Sequence, residues 1–105
     1  MTMDKIIIDV GVHTALSVDL TKFDFTGVKK LIMTVKNYAQ VGEPVVLTRE
    51  FTESIVYGVC ITPEESLALK VGAVYDFDEV LEDGTQYKVG DNGQIELRRG
   101  CGECQ

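Results

Sequence analysis

The spacing with the most intrinsic chemical meaning in this sequence is Cys101-Gly102-Glu103-Cys104. Two cysteines separated by two residues supply half of a tetrahedral zinc site, or a redox dithiol when the first caps a helix. No helix is expected around Cys101, so nothing in the pattern would lower a thiol pKa, and the redox reading is weak. A metal centre held by Cys101 and Cys104 needs two further ligands from elsewhere in the chain, or from a second copy across an oligomer axis. Against it stands a simpler reading, in which residues 99–105 form a flexible Cys-containing C-terminal tail. The third cysteine, Cys60, falls in an apolar run and is expected to be a small core residue. Three cysteines make no disulfide framework, and the odd count fits a reducing compartment.

Other groups offer less. His13 is the single histidine, so no nucleophile–base–orienter system is supported. Asp76 and Asp78 share one face of a candidate strand and would stand roughly 6.5–7 Å apart, a spacing compatible with paired-carboxylate glycosidase chemistry. The same two residues are also what a solvated strand face looks like. Asp91-Asn92-Gly93 resembles a fragment of a calcium loop but lacks the remaining ligands, and reads as a turn. No catalytic residue and no cofactor are expected, and the chain reads as a non-enzyme. Tyr38 and Val41 are apolar residues in a loop that no strand pattern accounts for. They are the candidate partner-binding residues, with folding back onto the core as the alternative.

Seventeen acidic residues against ten basic ones give a net charge of −7. That charge repels phosphate backbones and anionic bilayers, so neither nucleic acid nor membrane is an expected partner. Ile6-Ile7-Ile8 is stopped at once by Asp9, far short of the ~20 apolar residues of a spanning helix. The N-terminus lacks a basic segment followed by a long apolar one, so no secretory signal is expected.

The elements that must position these groups are short strands. The segment from Val71 to Val89 organises the rest: Tyr75, Phe77 and Leu81 share one parity and Asp76 and Asp78 the other, around an Asp83-Gly84 turn expected to be type I′. Val28–Lys36 alternates most cleanly, with Leu31, Met33 and Val35 on one side, and reads as a central strand. Lys5–Val10, Thr14–Leu20, Val45–Phe51, Ser54–Ile61 and Gln94–Arg98 read as further strands. Thr52-Glu53 is expected to join two of them as a hairpin, and Gly90–Gly93 to be another turn. Phe23 and Phe25 are expected to anchor their loop to the core. Thr62-Pro63-Glu64-Glu65 starts a helix of about seven residues, with Thr at the cap, Pro at the first position and Leu67 pointing inward. The expected core comprises Val18, Leu31, Met33, Val35, Ile55, Tyr57, Val59, Leu67, Tyr75, Phe77, Leu81 and Leu97. The sum is one all-β domain over residues 1–98, an antiparallel sandwich of about seven to eight strands with one short helical turn.

Leu69-Lys70-Val71-Gly72-Ala73-Val74-Tyr75 resembles the corner before a late strand of immunoglobulin-like sandwiches, where a buried Tyr turns its hydroxyl to the upstream backbone. Phe77 stands where an antibody-type domain carries its second Cys, and the chain has no Trp. A closer similarity is to the immunoglobulin-like N-terminal modules of phage baseplate upper proteins. It is carried by Thr26-Gly27-Val28 through Ile32-Met33-Thr34-Val35-Lys36, then Ile61-Thr62-Pro63-Glu64-Glu65-Ser66-Leu67 and Gly72, then Tyr75-Asp76-Phe77 through Leu81-Glu82-Asp83-Gly84-Thr85. The resemblance spans roughly Ile6–Arg98. It implies an immunoglobulin-like fold and a structural component of a phage or prophage tail, docking other tail subunits or further copies of itself. It also implies residence in the virion, or in the bacterial cytoplasm during assembly. The alternative from chemistry is a small intracellular metal-binding or regulatory protein using Cys101 and Cys104.

Overall fold

Alternation of apolar and polar residues can bury a strand only if a second layer covers its apolar face, and this chain builds two sheets for that purpose. A computed structural model describes residues 5–38 and 42–99. In order, the elements are β1 (Ile6–Val10), β2 (Thr14–Asp19), β3 (Val28–Lys36), β4 (Val45–Phe51), β5 (Val56–Ile61), α1 (Pro63–Leu67), β6 (Val74–Leu81) and β7 (Gln86–Arg99). One sheet has the order β1-β7-β6-β3-β4; β2 and β5 pair as a second. The order β7-β6-β3-β4 facing β2-β5, with a helical turn before β6, is that of immunoglobulin-like sandwiches, in which strands G, F, C and C′ face B and E.

The central strand is β3, paired with β4 on one side and β6 on the other, with Met33 opposite both Arg49 and Phe77. Leu31, Met33 and Val35 are buried as their parity requires, beside Tyr75 and Phe77 of β6 and Leu47 and Phe51 of β4. Ile8, Ile95, Val59, Ile61, Leu20 and Leu69 complete the core, and Val18, Tyr57 and Leu97 pack against it half-buried. Phe23 and Phe25 do likewise, their rings edge-to-face at 4.7 Å.

Several expectations are corrected. The sandwich is not wholly antiparallel: β1 runs parallel to the end of β7, Ile6 opposite Ile95 and Val10 opposite Arg99. Among the described residues the strands number seven, within the expected seven to eight, but Gly90–Gly93 is not the expected turn and does not reverse the chain. Tyr75 lies opposite Gly93 and Phe77 opposite Val89, so β7 carries two more residues than β6 across that interval, and the segment is a bulge. The bulge seats a ring: a Cβ on Gly93 would collide with the Tyr75 side chain, and only Gly leaves that space. Thr52-Glu53 joins no hairpin, since β4 pairs with β3 and β5 with β2 in the other sheet. The link crosses between sheets, and the Tyr57 hydroxyl accepts the Thr52 and Glu53 N–H groups at 3.1 and 2.9 Å to hold it.

The Asp83-Gly84 turn is not type I′, which would need left-handed backbone at both central residues. Only Gly84 has positive φ, at 91°. Gly84 N–H donates to the Leu81 carbonyl at 2.9 Å and Leu81 N–H to the Thr85 carbonyl at 2.8 Å. That is the three-residue hairpin loop, a turn closed by a left-handed glycine. Ile55 is exposed, lying just before β5 begins. Leu67 is exposed as well: α1 turns Ser66 inward, and Leu69 beyond the helix enters the core in its place.

Candidate docking end and thiol–imidazole pair

Three connections meet at one end of the sandwich: the β1–β2 turn, the chain leaving β3, and the α1–β6 segment. The start of α1 is a complete capping box, Thr62 Oγ1 accepting the Glu65 N–H at 3.2 Å and Glu65 accepting the Thr62 N–H at 3.0 Å. Ser66 Oγ then accepts the Gly11 N–H at 2.9 Å and donates to the Pro63 carbonyl at 2.8 Å, tying the helix to the β1–β2 turn. Asn37 clips the other side, its Nδ2 donating to the Ala68 carbonyl at 3.2 Å and its Oδ1 accepting the Lys70 N–H at 2.8 Å. Arg49 closes the gap toward β5, its guanidinium reaching both Glu65 carboxylate oxygens at 2.8 and 3.0 Å and the Cys60 carbonyl at 3.1 Å. The Thr62 N–H first, and the Arg49 charge after it, hold the Glu65 carboxyl below its ordinary value against the opposing effect of burial.

These polar clips fix the backbone yet leave apolar side chains outside it. Val71 is 87% exposed, Leu67 64% and Tyr38 48%, and Val12, next to Gly11, and Val45, opposite Lys36, are half exposed. Tyr38 follows Asn37, and Val71 and Leu67 flank the Ala68–Lys70 segment that Asn37 binds, so they surround one point of the fold. Single exposed apolar residues need no explanation, but several around one point form a patch of the kind partners cover.

Of the candidate residues from the sequence, Tyr38 therefore lies exposed within this patch. Val41, Cys101 and Cys104 lie outside the described residues. Asp76 and Asp78 do share the outward face of β6, opposite Thr34 and Ile32 of β3. Gln86 Nε2 donates to Asp78 Oδ2 at 2.8 Å, and Lys88 Nζ stands 4.0 Å from Asp76 Oδ2. Burial, and then the Asp78 charge, push the Asp76 carboxyl above its ordinary value, while Lys88 and Lys36 pull it back. These are cross-strand neighbours on a sheet face, each acidic group beside a donor.

One constellation escaped the sequence reading. Cys60 is exposed, not core. It lies opposite Ala15, so His13 is its diagonal neighbour on the same face, and His13 Nδ1 stands 3.7 Å from Cys60 Sγ. The signal was present: if Tyr57, Val59 and Ile61 face inward, Cys60 must face outward. The pairing of β2 with β5 was not legible locally, and it alone brings His13 there. Among the described residues no group of three or more His, Cys, Asp or Glu is arranged to hold a metal, and no helix is long and apolar enough to cross a membrane. Compared with protein-family models and with curated proteins, the chain matches neither a family nor an individual relative.

Proposed function

We propose that this domain is a protein-docking module without turnover chemistry, a structural component of a phage or prophage tail that engages a neighbouring subunit through its apolar end. The supporting observation is the cluster of Tyr38, Leu67 and Val71, held on a rigidly clipped backbone with its apolar groups in water. A preformed patch of this sort binds without first ordering a loop, which lowers the entropic cost of association. With a net charge of −7 the domain favours a partner whose contact surface is apolar at its centre and basic around it. The tail assignment rests on the sequence resemblance to baseplate modules.

The test begins with the genes flanking this one. Tail proteins encoded there are co-expressed with the wild-type domain and with a Tyr38→Ser, Val71→Ser double variant. The expected result is co-elution with one of them that the double variant loses while its melting temperature stays unchanged. Flanking genes without tail components, or a double variant that co-elutes undiminished, would overturn the proposal.

A further inference from the structure

We propose that the free edge of β5 is a pairing site for a second copy of this chain, the two β5 strands running antiparallel about a two-fold axis at Gly58. The carrying observation is the composition of that edge: Val56-Tyr57-Gly58-Val59-Cys60-Ile61 holds no charged residue. Open strand edges are ordinarily blunted by charge or by cover, because their unpaired N–H and C=O groups accept any strand that fits. The other strands at sheet edges follow that rule. In β1 Asp9 is charged, and its N–H already donates to Thr14 Oγ1 at 3.1 Å; β4 carries Arg49 and Glu50, and β2 carries Asp19.

Two hydrogen bonds show which backbone groups of β5 point outward. Leu20 N–H donates to the Ile55 carbonyl at 3.0 Å, continuing the ladder in which Asp19 pairs with Val56 and Thr14 with Ile61. Bonds of an antiparallel ladder fall on alternate residues. Tyr57, Val59 and Ile61 therefore turn theirs to β2, and Val56, Gly58 and Cys60 turn theirs away. The Cys60 carbonyl accordingly accepts from Arg49 of the other sheet at 3.1 Å, and its second lone pair remains for a further donor. Among the described residues no strand pairs with this edge.

A second copy fits the edge residue for residue. With Gly58 opposite the partner's Gly58, Val56 comes opposite the partner's Cys60, and Cys60 opposite the partner's Val56. All three positions offer both backbone groups for exchange. Val56, 52% exposed, gains an apolar neighbour, and no side chain stands at the axis. Two copies that each carry −7 repel, and they approach at least cost along an edge without charge. The pairing joins two two-stranded sheets into one of four strands. It uses none of Tyr38, Leu67 or Val71 and does not depend on the docking reading.

The test is a charge swap at the axis, read by analytical ultracentrifugation of the reduced full-length protein from micromolar to millimolar concentration. Gly58 has no positive φ and open space where a Cβ would stand, so Gly58→Glu and Gly58→Lys should fold with the wild-type circular dichroism spectrum. Wild type should show a concentration-dependent monomer–dimer equilibrium. Each variant sets like charges opposite one another and should raise the dissociation constant at least about tenfold. An equimolar mixture of the two variants should recover the dimer. The amide protons of Val56, Gly58 and Cys60 should exchange more slowly in the wild-type dimer than in the monomer. Wild type that stays monomeric throughout overturns the proposal, as does a dimer indifferent to Gly58→Glu or a mixture that does not recover it. So does a dimer lost in the Tyr38→Ser, Val71→Ser variant, since the copies would then meet through the apolar end. A double variant that loses its tail partner should still dimerise, so failure of docking and failure of the edge pairing are read separately.

Discussion

The two ends of this sandwich solve the problem of connecting strands in opposite ways. At the end carrying the β2–β3 and β6–β7 connections, the chain closes on itself. Asp19, Asp24 and Asp83 each accept the backbone N–H of a threonine two residues on, at 3.0, 2.9 and 2.9 Å, so the two loops carry three copies of the same Asp-x-Thr turn. Glu82 N–H donates to the Gly27 carbonyl at 3.2 Å, docking one loop on the other, and Ser54 Oγ donates to the Phe23 carbonyl at 2.6 Å. Phe23 and Phe25 are turned in against the core. At the opposite end polar clips through Asn37 and Ser66 also fix the backbone, yet Tyr38, Leu67 and Val71 remain outside. Both ends leave some apolar groups in water, Ile55 and Val56 at the first and Tyr38, Leu67 and Val71 at the second; the contrast is one of degree, with Val71 at 87% and Leu67 at 64% the most exposed. The second, more open end is the one on which the docking proposal rests.

The largest expected effect tests the core that both ends share. Leu31→Ala removes a fully buried side chain of the central strand, and urea unfolding should show a loss of about 2–5 kcal/mol. A loss below about 1 kcal/mol would mean that β3 packs by another parity.

Next comes the closed end. Gly84→Val forces a β-branched residue into a backbone with φ of 91°, and should destabilise by about 1 kcal/mol or more. If this variant melts at the wild-type temperature, the three-residue loop is not what sets the β6–β7 register.

The three aspartates of that end add a dependence on pH. Hydrogen bonds from Thr21, Thr26 and Thr85 hold their carboxyls below the ordinary value near 3.8. A carboxyl lowered in the folded state contributes stability that is complete above its unfolded pKa and is lost as pH falls through the folded one. Asp76 acts with the opposite sign, because its raised carboxyl is relieved by protonation. The melting temperature should therefore fall as pH drops from about 5 to about 3. A Thr21→Ala, Thr26→Ala, Thr85→Ala variant keeps the backbone donors and loses the hydroxyls, so it should show a shallower fall, and equal slopes would remove the three hydroxyls as its source.

The smallest effect is expected at the open end. Val71→Ser should change stability by no more than about 0.5 kcal/mol, as at ordinary surface positions. A clear loss would show that Val71 is folded onto the domain, and the difference between the ends would disappear.

Much of this was legible in the amino-acid order. The strands of Val28–Lys36 and Val74–Leu81, the inward Leu31, Met33, Val35, Tyr75 and Phe77, the Thr62 cap and the anchoring of Phe23 and Phe25 all follow from features within about ten residues, whereas Leu81, expected in the core, is not part of it. Such features are local: side-chain parity is a property of one strand, and a capping box of four consecutive residues. The exposure of Tyr38 was readable only as an apolar residue outside any pattern. Leu67 misled because in a one-turn helix no periodicity exists to set the inward face, and the bonds from Ser66 to Gly11 and from Glu65 to Arg49 set it instead.

What the chain order determined by itself is where strands begin, which side of each is apolar, and where turns must fall. Tertiary structure decided which strands pair. Val45–Phe51 and Val56–Ile61 lie side by side in sequence yet in different sheets, β1 found a parallel partner in β7, and His13 met Cys60 across 47 positions. The reason is physical: an apolar strand face is satisfied by any apolar layer of the right size, and a strand edge by any free edge. The choice among them is made only when all seven strands compete for the same core at once.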